Sequence, residues 1–223
     1  KEDIPQSADE MCKEYVPHVE VETEEDYFHR LEGKCDSCYI CDRIQNSMDR
    51  YIETICYLYK KDESFRKALK IKLIGKTDES ILKALHEAGL EGAVEDMGYQ
   101  PHSIAVEEQR TASLLILPLR KEPEYKAVLP GKLFEYLASW RPVLGIGQSD
   151  GAMSMILNQT KTGVVLNWED GASIARFIDL CWKNHLNGNL TVDDADISQF
   201  TRRNLTHKMA QLFDELTAKN LDK

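Results

Sequence analysis

Residues 114–146 read LLILPLRKEPEYKAVLPGKLFEYLASWRPVLGI, and this stretch decides the fold. It opens on four consecutive apolar residues, a pattern that is typical of a strand buried on both faces. Pro130 and Gly131 then begin an amphipathic helix that continues through Leu137, and residues 142–146 form a second apolar strand. A strand, a helix and another strand in this order indicate a parallel sheet with crossover helices.

The same alternation extends to both sides of this stretch. Strands are predicted at 37–41, 70–74, 94–97, 114–117, 142–146 and 163–166. Helices are predicted at 48–60, 80–88, 103–111, 130–137, 152–158, 174–185 and 197–218. We therefore expect an α/β fold with a doubly wound parallel sheet and a long C-terminal helix. The chain divides into an acidic N-terminal segment (1–36), a Rossmann-like domain (37–195) and the C-terminal helix (196–223).

Charge and composition exclude several classes of function. The chain has 223 residues and a net charge of −10, and its first 32 residues hold eleven acidic against three basic side chains. The nearly neutral remainder offers no basic face, so we expect no nucleic-acid partner. No apolar run is long enough for a transmembrane helix, and no secretory signal is visible. We therefore expect a cytoplasmic protein whose six cysteines are reduced thiols.

The start of the helix at Pro130 and Gly131 is the first candidate ligand site. Free backbone N–H groups at a helix N-terminus bind anions, and Lys126 and Lys132 add positive charge nearby. Glu135, one turn further in, is suited to accept hydrogen bonds from a ribose diol beyond the phosphates. An ordinary amphipathic helix with a capping loop is the alternative.

Residues 130–138 (PGKLFEYLA), followed by 141–144 (RPVL), resemble the signature of retaining GT-B glycosyltransferases of family 4. Residues 72–76, 98–102 and 163–166 are similar to further motifs of that family, in the same order, and the resemblance covers roughly residues 48–185. It implies that residues 37–195 form the donor-binding half of the enzyme, which holds the nucleotide part of a nucleotide sugar without a metal or another cofactor.

The resemblance also implies roles for individual residues. Glu135 would hold the ribose, while Pro130, Gly131 and Lys132 would meet the diphosphate. Lys126 and Lys76 would be secondary contacts, and Arg43 would stand near the place of the family's diphosphate-binding arginine. A GT-B enzyme also needs a second Rossmann-like domain, and at most 36 residues precede the first predicted strand. A missing N-terminal domain is therefore expected, or a homo-oligomer through the C-terminal helix.

Two departures from the family pattern leave a second function open. Ala127 stands where the family often carries a glutamate that contacts the sugar. Asp42 follows the first predicted strand, where the family has a glycine that lets the diphosphate approach. A non-catalytic binding or assembly module with a degenerate phosphate site is therefore the alternative to an enzyme.

The stretch GIGQSDG at 145–151 approximates a dinucleotide fingerprint between a strand and a helix. Glu169 and Asp170 follow about twenty residues later, as an NAD(P)-binding unit requires. However, this unit comes last in the chain order of the sheet, and Asp150 would stand near the pyrophosphate. A tight glycine-rich turn is the interpretation that we favour.

Cys35, Cys38 and Cys41 have a spacing that can bind zinc or an iron–sulfur cluster. If residues 37–41 form a strand, Cys38 and Cys41 point to opposite faces and cannot share a metal. We therefore predict thiols without a metal here, and core positions for Cys56 and Cys181. His102, which opens a helix, is interpreted as a capping or surface residue.

Overall fold

The computed structural model describes residues 50–192 and 195–221, and the structural statements below concern these residues. The strands are β1 (Ile71–Leu73), β2 (Val94–Asp96), β3 (Leu115–Pro118), β4 (Val143–Ile146) and β5 (Gly163–Leu166). The helices are α1 (Arg50–Lys61), α2 (Glu63–Ala68), α3 (Glu79–Glu87), α4 (His102–Thr111), α5 (Gly131–Ser139), α6 (Ala152–Thr160), α7 (Gly171–Leu186) and α8 (Arg202–Leu221). Short 3-10 turns lie at Glu91–Ala93, Pro123–Ala127 and Ser198–Phe200.

Every strand pairing in this part of the chain is parallel. β1 pairs with β2, with Ile71 opposite Val94. β4 lies between β3 and β5, with Val143 opposite both Leu115 and Gly163. Parallel strands joined by helices confirm the predicted α/β fold, including its long C-terminal helix. The predicted strand at 37–41 lies outside the described residues.

The central strand of the three-stranded sheet, β4, is buried on both faces, as its apolar sequence predicts. Along β4, Val143 packs into a core with Leu133 and Leu157 of the flanking helices. Its neighbour Leu144 points the other way, into a core with Ile174. Side chains alternate between the faces of a strand, so helices on both faces are needed to cover such a sequence.

Helix α2 was not predicted, because six residues are too few to show a hydrophobic period. Its start is set by Asp62, whose Oδ1 accepts hydrogen bonds from the backbone N–H groups of Ser64 (2.7 Å) and Phe65 (3.0 Å). The other carboxylate oxygen accepts a hydrogen bond of 3.0 Å from Trp182 Nε1 in α7. The hydrogen bonds from the Ser64 hydroxyl and the Phe65 backbone lower the pKa of Asp62 to about 2.

We expect Asp62→Ala to lower the free energy of unfolding by about 1–2 kcal/mol at pH 7, because it removes the helix cap. The folded pKa lies below the ordinary value, so this stabilisation is complete above about pH 4 and is lost as the pH falls towards 2. Urea unfolding between pH 7 and pH 2 measures it. Asp62→Asn, which keeps an acceptor oxygen, should be milder than Asp62→Ala. A difference between wild type and Asp62→Ala that does not shrink at low pH would contradict this account.

The last helix begins later than predicted. The 3-10 turn Ser198–Phe200 ends at Thr201, whose extended backbone (φ −67°, ψ 143°) interrupts the helical pattern. The Thr201 hydroxyl then accepts a hydrogen bond of 3.3 Å from the backbone N–H of Asn204. Phe200 packs on Phe134 of α5, with 5.9 Å between the ring centres, whereas every residue from Arg202 to Ala218 is exposed.

Candidate functional site

The loops that follow the parallel strands meet at the carboxyl edge of the sheets, where α/β folds bind their ligands. The backbone N–H of Gly75, after β1, donates a hydrogen bond of 2.7 Å to the carbonyl of Gly98, after β2. Trp168, after β5, donates from Nε1 to the carbonyl of Leu119, after β3, at 2.9 Å. The first bond links the loops after β1 and β2, and the second links the loops after β3 and β5 across the end of β4.

The N-terminus of α5 opens onto this edge, as predicted. Pro130 is the residue before the helix, and no side chain caps the first turn among the residues that the structure describes. A Cβ atom placed on Gly131 would meet no atom within 4 Å, so the space beside the first N–H groups is open. Lys132 is exposed, whereas Leu133 is fully buried and fixes the helix on the core.

Glu135 lies one turn into α5 and faces α4. Its Oε2 accepts a hydrogen bond of 3.2 Å from Gln109 Nε2, and its Oε1 lies 3.5 Å from His102 Nε2. The structure therefore brings His102 beside the candidate ribose acceptor, a contact that sequence analysis did not predict. His102 begins α4 and Glu135 lies one turn into α5, the next helix along the chain, and this placement of both near the carboxyl edge was the available signal.

A half-open groove of about 320 Å³ lies between α4 and α5. Its lining consists of Val106, Gln109, Arg110, Glu135, Ala138 and Ser139. Arg110 and Ser139 lie in the last turns of their helices, so the groove runs from Glu135 away from the open N-terminus of α5.

The predicted basic contacts differ in their surroundings. The Lys126 ammonium pairs with the Asp150 carboxylate of the loop after β4, and its hydrogen bond lowers the pKa of Asp150. Lys76 is exposed in the loop after β1, near Asp78. Lys132 is exposed at the helix start, and Arg43 lies outside the described residues. Lys132 is thus the predicted cation that stands in the first turn of α5.

Two glycines in the 145–151 stretch have a packing role. A Cβ atom on Gly145 would stand 2.7 Å from Met153 Cε and 2.9 Å from Val165 Cγ2. A Cβ atom on Gly151 would stand 2.9 Å from the carbonyl oxygen of Lys126. These contacts favour the tight glycine-rich turn over a dinucleotide-binding loop.

Cys35, Cys38 and Cys41 lie outside the described residues, and the prediction of metal-free thiols there stays a prediction. Cys181 is buried, and burial raises its pKa to about 12, so the thiol stays protonated. Within residues 50–192 and 195–221, no three His, Cys, Asp or Glu side chains come together as metal ligands would. The same residues contain no helix that could span a membrane.

Parallel strands are joined by helices, and the N-terminus of one of these helices is open at the carboxyl edge of the strands. This arrangement places the chain in the Rossmann-like class of folds. Solved structures show that this fold is similar to part of the GT-B glycosyltransferase fold. WaaG, a glycosyltransferase involved in lipopolysaccharide biosynthesis, matches with 18% identity and a TM-score of 0.50, over 66% of this chain and 37% of WaaG. Anabaena Alr3699/HepE, solved in complex with UDP, matches with 16% identity and a TM-score of 0.52, over 74% of this chain and 44% of HepE.

This chain therefore spans less than half the length of either glycosyltransferase, and the likeness concerns the fold alone. Residues 3–74 match a family model described as "Family of unknown function (DUF6062)". That match includes the acidic segment and the cysteine cluster, and it ends just after β1. No curated protein matches the chain.

Proposed function

We propose that this chain carries the donor-binding half of a GT-B glycosyltransferase, which holds a nucleoside-diphosphate sugar for retaining, metal-independent transfer. The observation that carries the proposal is the open N-terminus of α5, with Lys132 in its first turn and Glu135 one turn further in. The GT-B-like fold and the UDP bound by HepE support it. A cytoplasmic location is part of the same proposal.

The diphosphate would bind at Gly131 and Lys132. The first N–H groups of a helix carry partial positive charge, and an ammonium beside them adds a full charge. These groups favour the negative charge that develops on the departing nucleoside diphosphate, so they would lower the barrier to transfer without a metal. Pro130 leaves the approach open because its side chain cannot cap the helix. Lys126 and Lys76 would be secondary contacts from neighbouring loops.

The ribose would bind at Glu135. The Cα atom of Glu135 stands about 6 Å along the helix axis from that of Gly131, the rise of four residues, and the side chain is only half-buried. The hydrogen bond from Gln109 orients the carboxylate towards α4. A vicinal diol can donate two hydrogen bonds to one carboxylate, so this position would distinguish a nucleotide from simple phosphate.

Calorimetric titration with UDP, GDP and ADP tests the proposal. We expect one of the three to bind, with an affinity clearly above that of inorganic pyrophosphate, because the ribose adds the contact to Glu135. Binding that is equal for all three nucleotides and pyrophosphate would contradict the assignment of a ribose site. Transfer itself would require a second domain, in this polypeptide or in a partner.

A non-catalytic module of the same fold is the second candidate. The pairing of Lys126 with Asp150 favours it, because a carboxylate in that loop opposes the approach of phosphate. Ala127, at the place of a sugar-binding glutamate, favours it as well. Calorimetry separates the two functions, since a degenerate site should bind none of the nucleotides.

A further inference from the structure

Helix α8 carries an exposed apolar strip. Leu205, Met209, Leu212, Phe213 and Leu216 form this strip, and their side chains are between 48% and 60% exposed. Large contiguous apolar surfaces on soluble proteins mark contact sites. The 3-10 turn just before α8, by contrast, is held on the domain, because Phe200 packs against Phe134 of α5.

The spacing within the strip is that of a short coiled coil. Leu205, Met209, Leu212 and Leu216 follow each other at intervals of four, three and four residues. This is the d, a, d, a order of a heptad, in which a narrow seam meets another helix. Phe213, at the e position beside Leu212, widens this seam at its centre. An exposed apolar face of this spacing fits the apolar face of another helix.

The charged residues beside the seam indicate which partner helix, and which orientation of it, the seam can bind. Lys208 and Glu215 occupy the two positions directly before Met209 and Leu216, on the same flank of the seam. If two copies of α8 pair in opposite directions, Met209 meets Leu212 of the second copy, and Leu205 meets its Leu216. Lys208 then faces Glu215 of the second copy, and Glu215 faces its Lys208, so both charge pairs are attractive.

A parallel arrangement of the same helices would not use these charges. In parallel pairs each flanking residue faces the residue five positions further along the partner, so Lys208 would meet the apolar Phe213 and not a carboxylate. The antiparallel arrangement is also two-fold symmetric, as expected for an interface between identical chains. The Lys208 and Glu215 charges thus favour a second copy in the antiparallel orientation over one in the parallel orientation.

We propose that α8 binds α8 of a second copy of this chain as an antiparallel helix pair, with its two-fold axis between residues 210 and 211. The seam buries the apolar strip, and the two Lys208–Glu215 pairs set the direction. This interface is independent of the proposed nucleotide site.

Sedimentation velocity of the whole chain over a range of micromolar concentrations tests the pairing. We expect a reversible dimer of about twice the 25.5 kDa chain mass. Lys208→Glu and Glu215→Lys should each raise the dissociation constant about tenfold, because each turns two attractive pairs into repulsive ones. The double exchange, Lys208→Glu with Glu215→Lys, should restore dimerisation.

The double exchange is decisive because the two residues lie about 10 Å apart along one helix and cannot pair within a chain. Asp214→Lys is the matched control. It makes the same charge change as Glu215→Lys, but on the face of α8 that points away from the seam, and should leave the dimer intact. A chain that stays monomeric at all concentrations would overturn the proposal. So would a double exchange that fails to restore the dimer, or a dimer that survives Leu212→Asp. Nucleotide titrations of the same variants should remain at the wild-type affinity.

Discussion

Replacing Gly163 with alanine should lower the free energy of unfolding by about 3 kcal/mol or more, because overpacking here involves backbone. Gly163 lies opposite Val143 in the β4–β5 ladder. A Cβ atom at this position would stand 1.9 Å from the carbonyl oxygen of Val143 and 2.9 Å from its backbone nitrogen. No side-chain rotation relieves such a contact, so the two strands must separate. Urea unfolding followed by circular dichroism measures the loss.

Gly131→Ala is the matched control for this substitution. A Cβ atom there would meet nothing within 4 Å, and the residue lies in the first turn of a helix. The Gly131→Ala variant should therefore be as stable as the wild type or slightly more stable, because alanine restricts the unfolded chain. If Gly163→Ala unfolds at the same urea concentration as Gly131→Ala, the register of β5 against β4 must be different.

Replacing Glu135 with alanine should weaken binding of the preferred nucleotide by roughly 10- to 100-fold. A charged carboxylate that accepts hydrogen bonds from ribose hydroxyls contributes about 1.5–3 kcal/mol. The fold should survive, because Glu135 is only half-buried and the buried residues Leu133 and Leu137 hold α5 on the core. Calorimetry measures the affinity, and circular dichroism checks the fold.

Gln109→Ala separates ribose binding from helix packing. This substitution removes the α4 donor of the hydrogen bond to Glu135 and leaves the Glu135 carboxylate itself in place. We expect the affinity to change less than about threefold, the effect of a lost orienting contact. Equal losses in Glu135→Ala and Gln109→Ala would mean that the contact between the helices, and not the ribose, explains the result.

The five described strands and the start of α5 could be predicted from the sequence, because their causes are local. Four apolar residues at 114–117 require burial on both faces, and the structure packs Leu115 and Leu117 on one side and Leu114 and Ile116 on the other. Pro130 and Gly131 similarly restrict the backbone to a helix start, and α5 begins at Gly131. Such signals act within a few residues, so periodicity and proline placement reveal them.

Only the tertiary structure decided which side chains meet at the site. Glu135 contacts Gln109, 26 residues earlier in the chain, and Lys126 pairs with Asp150, 24 residues later. The sequence predicted Lys126 as a phosphate contact but could not predict its carboxylate partner. α2 and the late start of α8 were missed for a different reason: Asp62 and Thr201 set these helix starts locally, but six residues and a short 3-10 turn are too brief to show a hydrophobic period. Contacts between crossover helices depend on how each helix packs on the sheet, and that packing minimises the exposed apolar area of the whole domain rather than of any one segment.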